Sequence, residues 1–552
     1  MSSSRSSSIR LGARTGGRQA PRRESLLSLR FGWIEFAAMV LGAIYVGAAV
    51  YLVGRLGLTS SEAIARTAHA ATLWDGFDVT MLAFGFDRPP LLNVLTIPFA
   101  AFDGLREHGL AGSLGASVGS AISLPIAAKV ARDAGLTRGA SVLFVLAFVA
   151  NPVLVYAGVF GLPETIYASL VLLSLVEFTR WVQDRTVASV ITSGVALGLA
   201  FLLRYNVILL AVVMAAGYWY VARDEERRDE ETEAAQANML AFVVPVLFVV
   251  GLWWLIAWFP RGYAMEYIAL ARDVTALGND DPTVIARMAD LKGDPLSVAQ
   301  WLGWWTLLIA PASIIATLGV ATYAVSAQRR AEGVFAVLCV ALLLPEAVAL
   351  LGGWGQAHVP HLFVMVVPAF AVLAYRERTL THGIPPTDYE GPRRRTQFAL
   401  SGALLLVSLT SAVAIWRMPE SDAPAGALEA TIRSGIAPAP YSAEEIAMAR
   451  YIREHAGPGD VVADINRHAS MMLLVGDPSL FQTEASQGEE ATLYEPFETA
   501  QWLLVRRPIA GQGAGRMERA YDDLFDDGAG SLSLDFESGE YRLYSVTGPA
   551  VP

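Results

Sequence analysis

Cysteine is nearly missing. Cys339 is the single one in 552 residues, so no disulfide can form within the chain and no cysteine-based metal site exists. It sits inside an apolar run, where a lone cysteine behaves as a small buried apolar residue. Charge is scarce too. Asp, Glu, Lys and Arg make up 17% of the chain, against about 25% in soluble domains. Lysine is much rarer than arginine, and with abundant alanine this is the compositional mark of a high-GC bacterium. No nucleotide-binding glycine motif is present, and a net charge of −11 offers no broad basic footprint for nucleic acid. No internal repeat is visible, which weighs against a transporter built from repeated halves.

What the chain has is length of apolar sequence. It is 54% hydrophobic with a mean hydropathy of +0.43, and the excess lies in long runs, so the class is a polytopic membrane protein. Residues 1–30 carry Arg5, Arg10, Arg14, Arg18, Arg22, Arg23 and Arg30 against Glu24. This Ser- and Gly-rich segment reads as a disordered cytoplasmic tail before a signal anchor. Apolar runs follow at 33–54, 111–131, 139–159, 163–182, 186–203, 206–222, 239–259, 299–326, 333–352, 360–375 and 396–416, about eleven spans. With the N-terminus inside, Lys129, Arg132, Arg138, Arg180, Arg185, Arg223, Arg227, Arg228, Arg329, Arg330, Arg376, Arg378 and Arg393–Arg395 all fall on the cytoplasmic side, as the positive-inside rule demands.

One apolar stretch, PPLLNVLTIPFAAF at 89–102, is too short and too proline-rich to count. Counting it would put every later arginine cluster outside. It reads as a re-entrant or interfacial helix on the outer face. The predicted division is a tail at 1–30, a membrane domain at 31–416 with an outer loop at 55–110, a Pro/Ala/Gly-rich linker at 417–440, and an outer α/β domain at 441–552. In that last domain 442–455 has helical periodicity, and VVADI, QWLLV and EYRLYSV read as strands. The charged stretch 223–238 is a helix-prone cytoplasmic connector, and 260–298 suggests short amphipathic helices on the outer face.

The polar residues gather at the outer ends of spans: Glu62, Arg66, His69, Asp75, Asp78, Asp87 and Arg88 in the first loop, Glu164 in the next outer turn, then Arg204, Asn206, Glu346, His358 and His361. Ionisable groups near hydrocarbon are costly, and their clustering on one side points to one outward-facing site. His358 and His361 have i, i+3 spacing, but Pro360 breaks regular helix between them, which favours interfacial polar anchors over metal ligands. Asp87 and Arg88 also read as a headgroup-level ion pair, and Glu164 as a carboxylate favoured at a helix N-terminus.

This arrangement resembles the GT-C superfamily of integral-membrane glycosyltransferases, especially the branch of protein O-mannosyltransferases and lipid A aminoarabinose transferases. FDRPPLL (86–92) is similar to that branch's acid–base–Pro-Pro-Leu loop motif, LPET (162–165) to its second outer acid, Arg204 in LLRYN to its helix-end base, and HVPHLFVMVVP (358–368) to its Tyr/His-rich span start. The resemblance covers roughly residues 31–375. It implies transfer of a sugar from a polyprenyl-phosphate donor to a glycan, lipid or protein acceptor, on the outer face of the inner membrane. In that scheme Glu62 is the general base, Glu164 orients acceptor or sugar, and Asp87 orients Arg88. Arg88 and Arg204 contact the phosphate, and His358 and His361 line the substrate site. The branch usually has Asp where LTSSEAIAR (58–66) supplies Glu62, so Asp75 and Asp78 are further acidic candidates. No residue is assigned as a metal ligand. A divalent cation, Mg or Mn, stays open because some members use one and no dense carboxylate cluster here demands it. Two other classes remain: a non-catalytic GT-C-like binder of lipid-linked glycan, and a transporter or flippase.

Overall fold

The computed structural model describes residues 33–85, 88–223, 228–261, 290–353, 357–381, 391–418, 423–486, 500–508, 523–528 and 532–546, with Arg287, Met517 and Tyr521 as isolated positions. The basic tail, Asp87 and most of the 260–298 loop lie outside these residues. Hydropathy dictates most of the architecture. Seven helical segments are long and apolar enough to cross a bilayer: Phe36–Arg55, Glu107–Asp133, Glu164–Asp184, Tyr205–Ala222, Ala235–Trp258, Val359–Leu380 and Gly391–Trp416. Three further runs are helix pairs bent by 52° between Arg138–Val149 and Pro152–Val159, by 108° between Pro295–Ile309 and Pro311–Ser326, and by 42° between Arg330–Ala341 and Leu344–Gly352. The run at 186–203 forms a shorter apolar helix, Val187–Phe201. The chain is therefore a mainly helical, multi-pass membrane bundle.

Each break has a chemical cause. Pro152, Pro311 and Pro345 open the second helix of each pair, where a missing N–H is harmless, but a proline cannot continue the ladder before it. At Ala310 the backbone leaves helical space (φ −145°, ψ 59°). The run 299–326 is thus not one straight span, as its hydropathy suggests. Its first half turns across to pack on Leu344–Gly352 and Ala412–Trp416.

The buried axis is α8, Glu164–Asp184, apolar on nearly every face. Its two ends carry different charge clusters about 30 Å apart. At the C-terminal end Lys129, Asp133, Glu177, Arg180, Asp184 and Arg378 form one ion-pair network, with Lys129 Nζ 2.9 Å from Asp133 Oδ2 and Arg180 Nη1 3.4 Å from the same oxygen. These are the basic residues that the sequence assigns to one side.

Outside the bundle, α2 (Ser61–Asp75) packs on one side against α3 (Pro90–Ala100) and on the other against the C-terminal region. Ser60 caps α2 by accepting the Ala63 N–H. The Ala65, Ala68 and Ala71 face of α2 shares a core with Met448, Ile452, Ile465 and Met472. Behind it stands a mixed sheet, order β2-β1-β3-β5-β4, made of β1 (Val461–Val462), β2 (Phe481–Gln482), β3 (Trp502–Arg506), β4 (Ser533–Ser538) and β5 (Tyr541–Ser545). β1, β3 and β5 fall at the three expected strand sequences; β2 is too short and β4 too exposed to announce itself. The stretch read as a linker contains the helix Ala423–Ser434, with Pro424 tolerated in its first turn.

Candidate functional site

The site is built from the first turn of α2 outward. Glu62 and Arg66 are one helical turn apart and form an ion pair, the geometry that i, i+4 spacing gives. Arg66 also donates to the carbonyl of Gly161 in the turn before α8. Gly161 has φ +82°, and a Cβ there would stand 2.7 Å from Ala63 Cβ, so only glycine lets this turn close on α2. Ser60 Oγ donates to Phe160 O at 2.7 Å, fastening the same two segments.

A second layer sits behind it. Glu164 opens α8, fully buried, and pairs with Arg204. Glu346, buried at the start of the Leu344–Gly352 helix, meets Arg204 Nη1 at 3.7 Å, His361 Nδ1 at 3.3 Å and Asn206 Nδ2 at 3.1 Å. His358 and His361 lie with ring centroids 5.0 Å apart, and their ligand nitrogens and a Glu62 carboxylate oxygen are all within 4.8 Å of one another. Burial pushes the Glu62 carboxyl up, but the fields of Arg66, His358, Arg204 and His361 outweigh it and hold the group at about 2. Glu62 is therefore an anion at any working pH.

The rigid corner Arg88-Pro89-Pro90-Leu91 borders this cluster. Tyr205 Oη donates to Arg88 O at 2.8 Å, Trp253 Nε1 donates to Tyr205 Oη at 2.9 Å, and Leu91 N donates to Leu202 O at 3.0 Å. The two prolines stand where no further amide donor is needed. The Arg88 guanidinium reaches Asn466 of the C-terminal region, with Nη2 3.1 Å from its Oδ1.

Glu62, Glu164, Arg204, His358 and His361 thus come together, with Arg88 at their border. Asp75 and Asp78 do not. Thirteen residues of helix carry Asp75 about 20 Å along α2 from Glu62, where it pairs with Arg106. Asp78 is exposed in the loop beyond, at φ +45°. Asp87 lies outside the described residues. Three further members, Arg66, Asn206 and Glu346, were visible in the sequence as polar residues in apolar surroundings but carried no assigned role. Asn466 gave no signal at all, being 378 residues from Arg88.

The model of the dolichyl-phosphate-mannose-protein mannosyltransferase family matches residues 87–254, from the FDRPPLL motif through the Glu164–Arg204 pair. That match spans under a third of the chain. No curated protein matches it. Among solved structures, ArnT from Cupriavidus metallidurans in the apo state overlays with TM-score 0.47 and 14% identity, covering 92% of this chain and 98% of that one. The Archaeoglobus fulgidus oligosaccharyltransferase tethered to an acceptor peptide gives TM-score 0.42 and 12% identity over 86% and 69%. Archaeal AglB from the same organism, in complex with an inhibitory peptide and a dolichol-phosphate, gives 0.38 and 11% over 86% and 70%. These overlays are too loose to carry chemistry from one chain to another.

Proposed function

We propose that this chain is a GT-C glycosyltransferase that moves a sugar from a polyprenyl-phosphate donor to an acceptor hydroxyl on the extracytoplasmic face of the inner membrane. The observation that supports this most is the convergence of Glu62, Glu164, Arg204, His358 and His361 beside the Arg88-Pro89-Pro90 corner. Glu62 takes the proton of the acceptor hydroxyl. The acceptor oxygen bonds to the anomeric carbon as the bond from that carbon to the phosphate oxygen breaks. The electron pair leaves with the polyprenyl phosphate, whose charge grows by one. Arg88 meets that growing charge with a guanidinium suited to phosphate. Glu164 pairs with Arg204, which also meets Glu346, and together they form the floor on which His361 is set.

Two imidazoles and one carboxylate also form a donor set of the kind that holds Zn or Mn with open positions; Mg prefers oxygen alone. Glu346, 3.3 Å from His361 Nδ1, would hold that ring's orientation toward such an ion. The residues fit a divalent cation after side-chain closure from 4.8 Å spacing, and such an ion would supply Lewis acidity toward the donor phosphate.

The deciding experiment is transfer of radiolabelled sugar from a panel of polyprenyl-phosphate sugars in membranes holding the wild type, Glu62→Gln or Arg88→Ala. Label transferred by the wild type and lost in both variants at equal expression supports the reading. Transfer that survives Glu62→Gln removes Glu62 as the base, and a wild type inert toward the whole panel counts against the donor class.

A further inference from the structure

The C-terminal region is docked, not tethered. Thr80 N donates to Ala485 O at 2.8 Å, Ser486 Oγ donates to Phe77 O at 3.0 Å, and Val79 bridges Ser486. Gly459 of that region (φ +74°) packs so closely that a Cβ there would meet the Phe77 ring at 2.8 Å. This fixes the Ile465–Val475 helix against α2. Asp464 caps that helix through the Asn466 and Arg467 N–H groups at 2.9 and 3.3 Å, so the first-turn residue Asn466 is held by its backbone. Its Oδ1 then accepts from Arg88 Nη2 at 3.1 Å and from Nε at 3.4 Å.

Arg88 is therefore gripped from two sides of the chain. The bundle holds its carbonyl through Tyr205, and the C-terminal region holds its guanidinium through Asn466. A free arginine side chain samples many rotamers, and a phosphate contact has to overcome that entropy. An amide oxygen that receives two N–H groups fixes the plane of the fork before substrate arrives, with no charge to compete against phosphate.

We propose that Asn466 is a positioning residue of the donor-phosphate site, through which the C-terminal region sets the orientation of Arg88. This rests on the assignment of Arg88 to the donor phosphate. Asn466 does not touch the reacting atoms and acts only through the arginine.

The test uses the purified full chain in nanodiscs and two readouts. One is binding of a fluorescent short-chain polyprenyl phosphate without sugar; the other is steady-state transfer. Asn466→Ala should raise the donor KM and weaken polyprenyl-phosphate binding roughly tenfold, the scale of losing a hydrogen-bonded contact to a charged group. It should leave kcat, acceptor KM and thermal midpoint near wild type. Asn466→Asp should weaken donor binding further, because its carboxylate competes with phosphate for the guanidinium. Asn466→Ser, which keeps an acceptor oxygen, should recover part of the loss. Unchanged donor binding in Asn466→Ala overturns the inference alone, with the assignment of Arg88 intact if Arg88→Ala still loses binding. Tighter binding in Asn466→Ala also overturns it, by showing that the amide occupies the phosphate's seat. A wild type that binds no polyprenyl phosphate overturns the donor assignment and this inference with it.

Discussion

At the scale of single residues, the decisive feature is the layering of charge behind Glu62. Glu62→Gln keeps the shape and removes the anion. Transfer should fall by about 10²–10⁴, the usual yield of a general base, and the thermal midpoint should fall as well, because buried Arg66 loses its anion. Arg204→Ala should cost more stability still. It strands Glu164 and Glu346 without their cation inside the protein, and breaking a buried pair costs about 3–5 kcal/mol, so a clear drop in thermal midpoint should accompany loss of transfer. His358 and His361 carry a third prediction. Elemental analysis of the purified wild type should find one bound transition metal per chain, and His358→Ala/His361→Ala should lose it. A wild type without metal and an activity indifferent to chelator would make the pair polar anchors, as the proline between them suggests from sequence. Glu62, Arg88, Glu164 and Arg204 were legible because each is an ionisable residue in apolar sequence. Asp75 was misleading for the same reason: its partner Arg106 is 31 residues away, and nothing local to WDGFDV reveals that ion pair.

At the scale of elements, α2 and the turn before α8 form one unit. Gly161 is its hinge pin. Gly161→Ala puts a Cβ in contact with Ala63 at a strained positive φ, and should push the first turn of α2 away from His358 and His361. The expected result is a loss of kcat by about tenfold or more, in line with the cost of small misplacement in catalytic geometry, measured by transfer at saturating donor. Helices as such were legible because hydropathy and length report them directly. The breaks at 151, 310 and 343 were not, because an apolar run looks the same whether it passes straight through or folds back. Pro152, Pro311 and Pro345 mark where a turn is permitted; only packing of Pro295–Ile309 against its neighbours decides that one of these turns reaches 108°.

At the scale of the whole molecule, the C-terminal region joins the bundle through a shared core, and that core contains a buried titratable group. His468 is almost fully enclosed, with the Asp464 N–H 3.2 Å from its Nδ1. Burial first, then the nearby Arg467 and Arg506, depress it to about 3. The folded form thus refuses a proton that the unfolded chain accepts near 6.5. Stability is full above that value and declines as pH falls from about 6.5 toward 3, by up to about 1.4 kcal/mol per pH unit. Unfolding of the C-terminal region, followed by hydrogen exchange of the Ile465–Val475 helix amides, should move to lower temperature between pH 7 and 5. His468→Phe should flatten that slope; a slope that persists would place the acid sensitivity elsewhere. Strands β1, β3 and β5 were legible from their sequences, but their attachment to the bundle was not. The bridge between Val79 and Ser486 and the contact between Arg88 and Asn466 join residues hundreds of positions apart, and no local pattern encodes such pairings.

The shared core has a mechanical consequence. α2 carries Glu62 at one end and leans along its length on the C-terminal region. Fifteen residues make a rod of about 22 Å, so tilting it by about 5° at the far end sweeps the carboxylate through about 2 Å. Whatever rocks the C-terminal region is passed along α2 into motion of the Glu62 carboxylate, so the geometry of the Glu62–His358–His361 cluster depends on how firmly that region is seated.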